Sequence, residues 1–138
     1  MMHSQKASFV LINLSGGIAV LGSYVLWLAN PSNDGGALWG TISGGGRGLY
    51  TVSMLLAAAG SFAFASRLLR LDPDSAAFAW INTLFTLILF PSAFWMPLAF
   101  EYLDAPSAAL WWGMRATLAV VGLSSLGLVV ALRRLAPA

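Results

Sequence analysis

The sequence predicts an all-α integral membrane protein in which four transmembrane helices form an up-down bundle. Hydrophobic residues make up 59% of the 138 residues and charged residues only 9%, whereas a soluble domain averages about 25% charged residues. Four apolar stretches each reach the roughly 20 residues that a spanning helix needs. The length favours a single domain that covers residues 1–138.

The first predicted span covers residues 8–29 and the second covers residues 49–69. The first span is longer than the roughly 7–15 apolar residues of a signal peptide and lacks a small-x-small cleavage site, so we expect it to be retained. A glycine-rich connection follows it. The GGGRG stretch in this connection lacks the Lys-Ser/Thr pair of a phosphate-binding P-loop, which favours a surface loop.

The third predicted span covers residues 76–100 and the fourth covers residues 108–132. Asp72 followed by Pro73 is typical of a helix N-cap with proline at the first helical position. Asp104 and Pro106 repeat this chemistry before the fourth span. Both connections are short, so we expect tight antiparallel hairpins between spans two and three and between spans three and four.

Two prolines interrupt the third span and predict that its helix is kinked at Pro91 and Pro97. A proline removes one backbone N–H and its ring presses on the preceding turn. The carbonyl oxygens of Leu87 and Ala93 therefore lose their usual donors. Because lipid offers no water to these groups, neighbouring helices are expected to satisfy them.

Arg115 is the predicted partner of the carbonyl oxygen of Ala93, since both lie at a similar depth in the hairpin formed by spans three and four. A buried arginine in a membrane usually faces protein and has a partner. Its guanidinium is expected to reach the freed carbonyls and to stack on Trp95, with Glu101 or Asp104 as competing partners. The alternative is that Arg115 extends to the lipid headgroups.

Aromatic side chains gather around the outer half of spans three and four. They predict either a groove for a ligand, opened by the kinks, or a belt that anchors the protein at the membrane interface. The predicted ligand-binding residues are Arg115, Trp95, Glu101, Trp111, Trp112 and Tyr102.

A polar layer is predicted in the inner half of the bundle, because four polar residues lie at similar depths in the four spans. They are Asn13, Ser61, Asn82 and Ser124. One interpretation is a hydrated ligand or ion site. The favoured interpretation is a set of hydrogen bonds between helices, each contributing about 0.6 kcal/mol.

The basic residues predict a multi-pass protein of the cell membrane with both termini in the cytoplasm, since positive charge collects on the cytoplasmic side. Arg47 and Arg115 would then lie outside. The residues on the inner side would be Lys6, Arg67, Arg70, Arg133 and Arg134.

The composition excludes several function classes. The chain has no cysteine and a single histidine, His3, so thiolate sites and histidine-based triads are excluded or nearly so. We therefore expect no enzyme activity, no cofactor and no metal. No basic run favours nucleic acid as a partner.

The sequence favours a small membrane protein that binds a hydrophobic or amphipathic small molecule, or a lipid, in the outer groove between helices three and four. One alternative is a non-catalytic accessory or assembly subunit of a membrane complex. Another is a homo-oligomeric pore or passive transporter. Expected partners are membrane lipids, together with further copies of the chain or other subunits of a complex.

Overall fold

The computed structural model describes residues 4–32, 36–70 and 76–135. The regular structure in these ranges is helical: α1 spans Ser4–Leu28, α2 spans Gly45–Leu68, α3 spans Ala76–Asp104 and α4 spans Ala108–Leu135. A short 3-10 helix, Ala37–Trp39, precedes α2. The caps predicted at Asp72 and Pro73 lie outside the described residues.

Four helices long and apolar enough to cross a membrane are present, as predicted. Their apolar ranges are Gln5–Leu28, Gly45–Leu68, Phe78–Asp104 and Ala108–Arg133. Each of the four helices extends three or four residues beyond its predicted span at one end. Hydrophobicity marks only the apolar part of a helix, whereas backbone hydrogen bonding continues into polar or glycine-rich turns.

The chain divides into two compact units. The first contains α1, α3 and α4, and the second contains the 3-10 helix and α2. Within the first unit α3 packs against both α1 and α4. Phe9 of α1 anchors one of these interfaces, since its ring lies edge-on to Phe78 and to Phe85 at centroid distances of 6.0 and 5.1 Å. All three side chains are buried.

Helices α1 and α3 run parallel. Gly16 faces Leu89, and eleven residues further along both helices Trp27 stacks on Phe100 with a centroid distance of 5.9 Å.

Helix α4 runs antiparallel to α3. Gly113 lies against Leu98, and Gly127 lies against Leu84, so residue numbers fall on one helix as they rise on the other. The turn between them differs from the predicted cap in its details. Ser107, and not Asp104, precedes α4, and its hydroxyl accepts a hydrogen bond from the N–H of Leu110 at 3.2 Å. This is the usual role of a serine N-cap.

The prolines of α3 do not end the helix, which continues from Ala76 to Asp104 through Pro91 and Pro97. The hydroxyl of Ser92, directly after the first proline, donates to the carbonyl oxygen of Ile88 at 2.6 Å. Serine hydroxyls that bond to the preceding turn in this way often accompany bends in helices.

The second unit is organised around the N-terminus of α2. Gly44 has a φ of 53°, a left-handed conformation that favours glycine. The Nε–H of Arg47 donates to the carbonyl oxygen of Ile42 at 2.8 Å, and the guanidinium carbon lies 5.6 Å from the ring centroid of Trp39. Trp39 also meets Tyr50 edge-on at 6.2 Å. This arginine is therefore held by its own unit.

Large apolar side chains cover the outside of the first unit. Leu11, Leu21 and Leu26 of α1 are 64%, 69% and 74% exposed, and Leu123 and Leu126 of α4 are 70% and 66% exposed. Soluble monomers rarely expose contiguous apolar patches larger than a few hundred Å². These surfaces therefore fit a lipid environment.

Gly16→Ala is expected to destabilise the first unit, with Gly17→Ala as the matched control. A Cβ atom at position 16 would lie 2.6 Å from the Cβ of Leu89, whereas one at position 17 would meet nothing within 4 Å. Overpacking of this kind costs about 1–3 kcal/mol. Equilibrium unfolding in detergent micelles should show the loss for position 16 only, and equal stabilities of the two variants would contradict the close α1–α3 contact.

Candidate functional site

A small pocket lies where the three helices of the first unit meet, and we call it the three-helix pocket. Its cavity volume is about 110 Å³. Helix α1 contributes Tyr24, and α3 and α4 each contribute three residues at positions i, i+1 and i+4, which share one face of a helix. The lining residues are Tyr24, Pro91, Ser92, Trp95, Thr117, Leu118 and Val121.

Two hydroxyl groups in the wall of the pocket donate to their own helices. Ser92 Oγ donates to the carbonyl oxygen of Ile88 at 2.6 Å, and Thr117 Oγ1 donates to the carbonyl oxygen of Met114 at 2.7 Å. A hydroxyl that donates still has two acceptor lone pairs. Both groups can therefore accept a hydrogen bond from a molecule in the pocket.

Tyr24 and Trp95 supply the donors of the three-helix pocket. Both side chains are half-buried, and neither the O–H of Tyr24 nor the indole N–H of Trp95 has a hydrogen-bond partner among the described residues. Buried tyrosine and tryptophan usually find a partner for these groups. The pocket therefore combines an apolar body with two donors and two hydroxyl acceptors.

Pro91 brings a further property to the pocket wall. It has no N–H, so the carbonyl oxygen of Leu87 lacks its usual helical donor. The hydroxyl of Ser92 bonds to the next carbonyl along the chain, that of Ile88. Two successive carbonyl oxygens of α3 therefore differ in their partners: that of Leu87 lacks its helical donor, and that of Ile88 also accepts from the hydroxyl of Ser92.

Three of the predicted ligand-binding residues, Arg115, Trp111 and Trp112, form a cluster on α4, and none of them lines the three-helix pocket. The guanidinium carbon of Arg115 lies 3.7 Å from the ring centroid of Trp111. Trp111 meets Trp112 edge-on at 4.7 Å. The aromatic partner of Arg115 is thus Trp111, one turn away on α4, whereas the sequence predicted Trp95, which lines the three-helix pocket.

Arg115 makes no side-chain hydrogen bond and no ion pair within the described ranges. The expected bond from its guanidinium to the carbonyl oxygen of Ala93 is not formed. Glu101 and Asp104, the competing partners, are exposed. Arg115 is itself exposed.

Two open depressions flank Trp111 and Trp112. One, of about 310 Å³, lies at the turn before α4 and is lined by Tyr102, Pro106, Ser107, Ala108 and Trp111. The other, of about 680 Å³, runs along α4 and is lined by Trp112, Arg115, Ala116, Leu118 and Ala119. We call the second depression the α4 groove. Leu118 lines both this groove and the three-helix pocket.

Among the described residues, one member of the predicted polar layer, Asn82, bonds to another helix. Asn82 Nδ2 donates to the side-chain oxygen of Gln5 at 2.9 Å and lies 3.2 Å from the Gln5 backbone oxygen. Asn13 and Ser61 donate to carbonyl oxygens of their own helices, those of Phe9 and Ala57.

The Oδ1 atom of Asn82 is buried and has no hydrogen-bond partner among the described residues. Ser124 is 5% exposed, and no side-chain hydrogen bond joins it to Asn82. Within the first unit, Asn13, Asn82 and Ser124 therefore share no hydrogen bond among the described residues.

Sequence reasoning missed three of the groups that matter here. Tyr24 is the one tyrosine of the first span, and Ser92 directly follows a proline, so both carried a signal. Gln5 lies before the predicted start of the first span, so no signal in the sequence pointed to it. Tyr24 faces α3 and α4 because of the rotation of α1 about its own axis, and the hydrophobicity of the sequence does not determine that rotation.

The fold and the site define an all-helical protein with four helices suited to a membrane and a small pocket of mixed polarity within one three-helix unit. Comparisons with protein-family models, with curated proteins and with solved structures find no match. The function is therefore argued from the site alone.

A double-mutant cycle tests the Gln5–Asn82 bond. Gln5→Ala and Asn82→Ala should show a coupling free energy of about 0.6 kcal/mol, and up to ~1.7 kcal/mol, the range for hydrogen bonds between membrane helices. The control cycle pairs Gln5→Ala with Asn13→Ala, because the amide of Asn13 bonds only to its own helix. Equal coupling in both cycles, measured by unfolding in micelles, would rule out a specific contact.

Proposed function

We propose that the protein is a multi-pass membrane protein whose three-helix pocket binds a small hydrophobic or amphipathic molecule. The observation that carries this proposal is the convergence of α1, α3 and α4 on one cavity of mixed polarity, lined by Tyr24, Trp95 and Pro91. Pockets for small molecules are mostly apolar and hold a few placed polar groups. The three-helix pocket has this composition.

Membrane insertion is supported by the four long apolar helices and by the exposed leucines of α1 and α4. The distribution of Lys and Arg supports an orientation with both termini in the cytoplasm. In that orientation Trp111 and Arg115 lie towards the outer side, and the three-helix pocket lies deeper.

The volume of the pocket limits the ligand. A cavity of about 150 Å³ binds benzene in a well-studied apolar site, and this one holds about 110 Å³. We therefore propose a ligand, or a ligand moiety, no larger than a single ring. We also propose that α3 bends at Pro91 and Pro97, since a bend would separate α3 from α4 where the pocket lies.

The polar groups of the pocket favour an amphipathic ligand over a purely apolar one. Tyr24 and Trp95 carry donors without partners in the described ranges, and Ser92 and Thr117 carry free acceptor lone pairs. A ligand with one hydroxyl or carbonyl group would satisfy a donor that otherwise stays unpaired. A typical hydrogen bond contributes about 1 kcal/mol, so such a ligand gains affinity from this contact.

The two alternatives differ from ligand binding in what they require. An accessory subunit would purify with a fixed set of foreign proteins, and a pore would form a homo-oligomer with a hydrated path. The hydroxyls of α1 and α2 that donate to their own backbones, Ser15, Ser23, Thr51 and Ser61, give the pore no particular support. The ligand-binding proposal therefore stands first.

Tyr24→Phe should weaken the binding of phenol and leave the binding of benzene unchanged. Loss of one hydrogen bond of about 1 kcal/mol corresponds to a roughly fivefold weaker affinity. Tyr50→Phe, the same change on an exposed tyrosine of α2, is the control. The measurement is the ligand-induced shift in unfolding temperature in micelles. Equal phenol affinities of the Tyr24→Phe variant and the unaltered protein would refute a role for Tyr24.

Leu118→Trp should abolish the binding of both probes, because Leu118 forms the wall between the three-helix pocket and the α4 groove. A larger side chain at this wall would fill a cavity of about 110 Å³. Leu123→Trp, at an exposed position of α4 outside both depressions, is the matched control. If benzene binds the Leu118→Trp variant as it binds the control, then the pocket is not its site.

A further inference from the structure

We propose that the α4 groove is a binding site for an anionic phospholipid, with the phosphate held by Arg115 and an acyl chain lying along Ala116 and Ala119. This site lies on the outer surface of α4 and is separate from the three-helix pocket except for their shared residue, Leu118. The inference rests on the proposed membrane location, but it does not depend on ligand binding in the pocket.

The positive charge of Arg115 has no partner of opposite charge in the described ranges. No carboxylate lies within ion-pair distance of its guanidinium among the residues the structure describes, and no carbonyl accepts from it. A cation on a membrane helix usually has a partner of opposite charge or a path to the headgroups. The phosphate of a lipid is the anion that this environment supplies.

The guanidinium of Arg115 lies closer to the start of α4 than its own backbone does. Arg115 lies seven residues into α4, about 10 Å below its start at 1.5 Å per residue. Its guanidinium nevertheless lies over Trp111, one turn nearer to that start. Helical side chains point towards the N-terminus of their helix, so the charge is directed to the level at which tryptophans meet headgroups.

The stacking of Arg115 on Trp111 determines what the site can select. A guanidinium carbon 3.7 Å from the ring centroid covers that face of the indole and leaves its in-plane N–H groups free for a phosphate. Guanidinium binds phosphate with two parallel hydrogen bonds. The covered face is unavailable to a quaternary ammonium, which would otherwise bind there. The site should therefore prefer phosphatidylglycerol over phosphatidylcholine.

Besides Arg115, the α4 groove is lined by two small residues and two large apolar ones. Ala116 and Ala119 form its floor, and Trp112 and Leu118, both more than half exposed, stand at its sides. Small residues between large ones leave an apolar channel beside the charge. This arrangement fits a phosphate joined to an acyl chain better than it fits a free phosphate ion.

Native mass spectrometry of the detergent-solubilised protein with dioleoyl phosphatidylglycerol or dioleoyl phosphatidylcholine tests the proposal. The unaltered protein should retain the anionic lipid about fivefold better, and Arg115→Ala should remove this preference, a magnitude typical of a partly exposed charge pair. Arg47→Ala is the matched control, since it removes the same charge from the other predicted outer arginine. An equal loss in both variants, or none in Arg115→Ala, would overturn the proposal.

Two further variants separate the parts of the site. Arg115→Lys keeps the charge but loses the planar stack, so the preference should fall below that of the unaltered protein. Ala119→Phe should reduce retention of both lipids by filling the groove. Unchanged retention in either variant would overturn the corresponding part of the site. Glycerol 3-phosphate should not compete at millimolar concentration, and competition would show a headgroup site without a chain.

Membrane location is checked separately by alkaline carbonate extraction of membranes that contain the expressed protein. Extraction of the unaltered protein would refute the membrane location and the lipid site together. Retention of every variant in the membrane, combined with an unchanged lipid preference in Arg115→Ala, would refute the lipid site alone.

Discussion

The structure of the first unit depends on one helix that must pack on two sides. On one side of α3, Phe85 and Leu89 meet α1, and on the other Leu84 and Leu98 meet α4. Residues 84 and 98 are fourteen apart, the spacing of four helical turns, so they lie on one stripe. Gly16 of α1 and Gly127 of α4 allow a close approach, since an added Cβ atom would lie 2.6 Å and 3.1 Å from side chains of α3. Small residues serve this purpose in membrane helices generally.

The same constraint explains where the pocket forms. Because α3 packs against both α1 and α4, a space remains along the line where the three helices meet, and large side chains must fill this seam. Close to Pro91 the seam is lined by Tyr24, Ser92 and Thr117, whose polar atoms pack less completely than aliphatic groups. The phenyl rings at the other end of α3 fill the equivalent space, since Phe78 and Phe85 are buried against Phe9. The position of the pocket thus follows from a change in side-chain chemistry along one interface.

The number, type and approximate extent of the helices could be predicted from the sequence, because long apolar stretches leave few alternatives. The grouping of site residues could not be. Asn13, Ser61, Asn82 and Ser124 were grouped by predicted depth, but depth does not determine the direction in which a side chain points. Of the four, Asn82 bonds to another helix, and its partner is Gln5, at the polar end that hydrophobicity leaves out.

The same limit applied to Arg115. The sequence predicted a tryptophan as the aromatic partner of Arg115, and the partner is a tryptophan. It could not separate Trp95 on the next helix from Trp111 on the same helix, because both lie within reach of a long side chain. A residue four positions away on one helix is a neighbour by geometry alone, whereas a contact across helices also needs the correct rotation of both.

The two proposed binding sites lie on neighbouring surfaces of α4. Thr117 in the three-helix pocket lies six residues further along α4 than Trp111, about 9 Å at 1.5 Å per residue. The three-helix pocket presents neutral donors and acceptors, which suit an uncharged molecule, and in the proposed membrane location a charge there would cost several kcal/mol. The α4 groove presents a cation, which suits the proposed anionic headgroup. Leu118 belongs to both surfaces, so a chain bound in the groove would lie against the wall of the pocket, and occupation of one surface would alter access to the other.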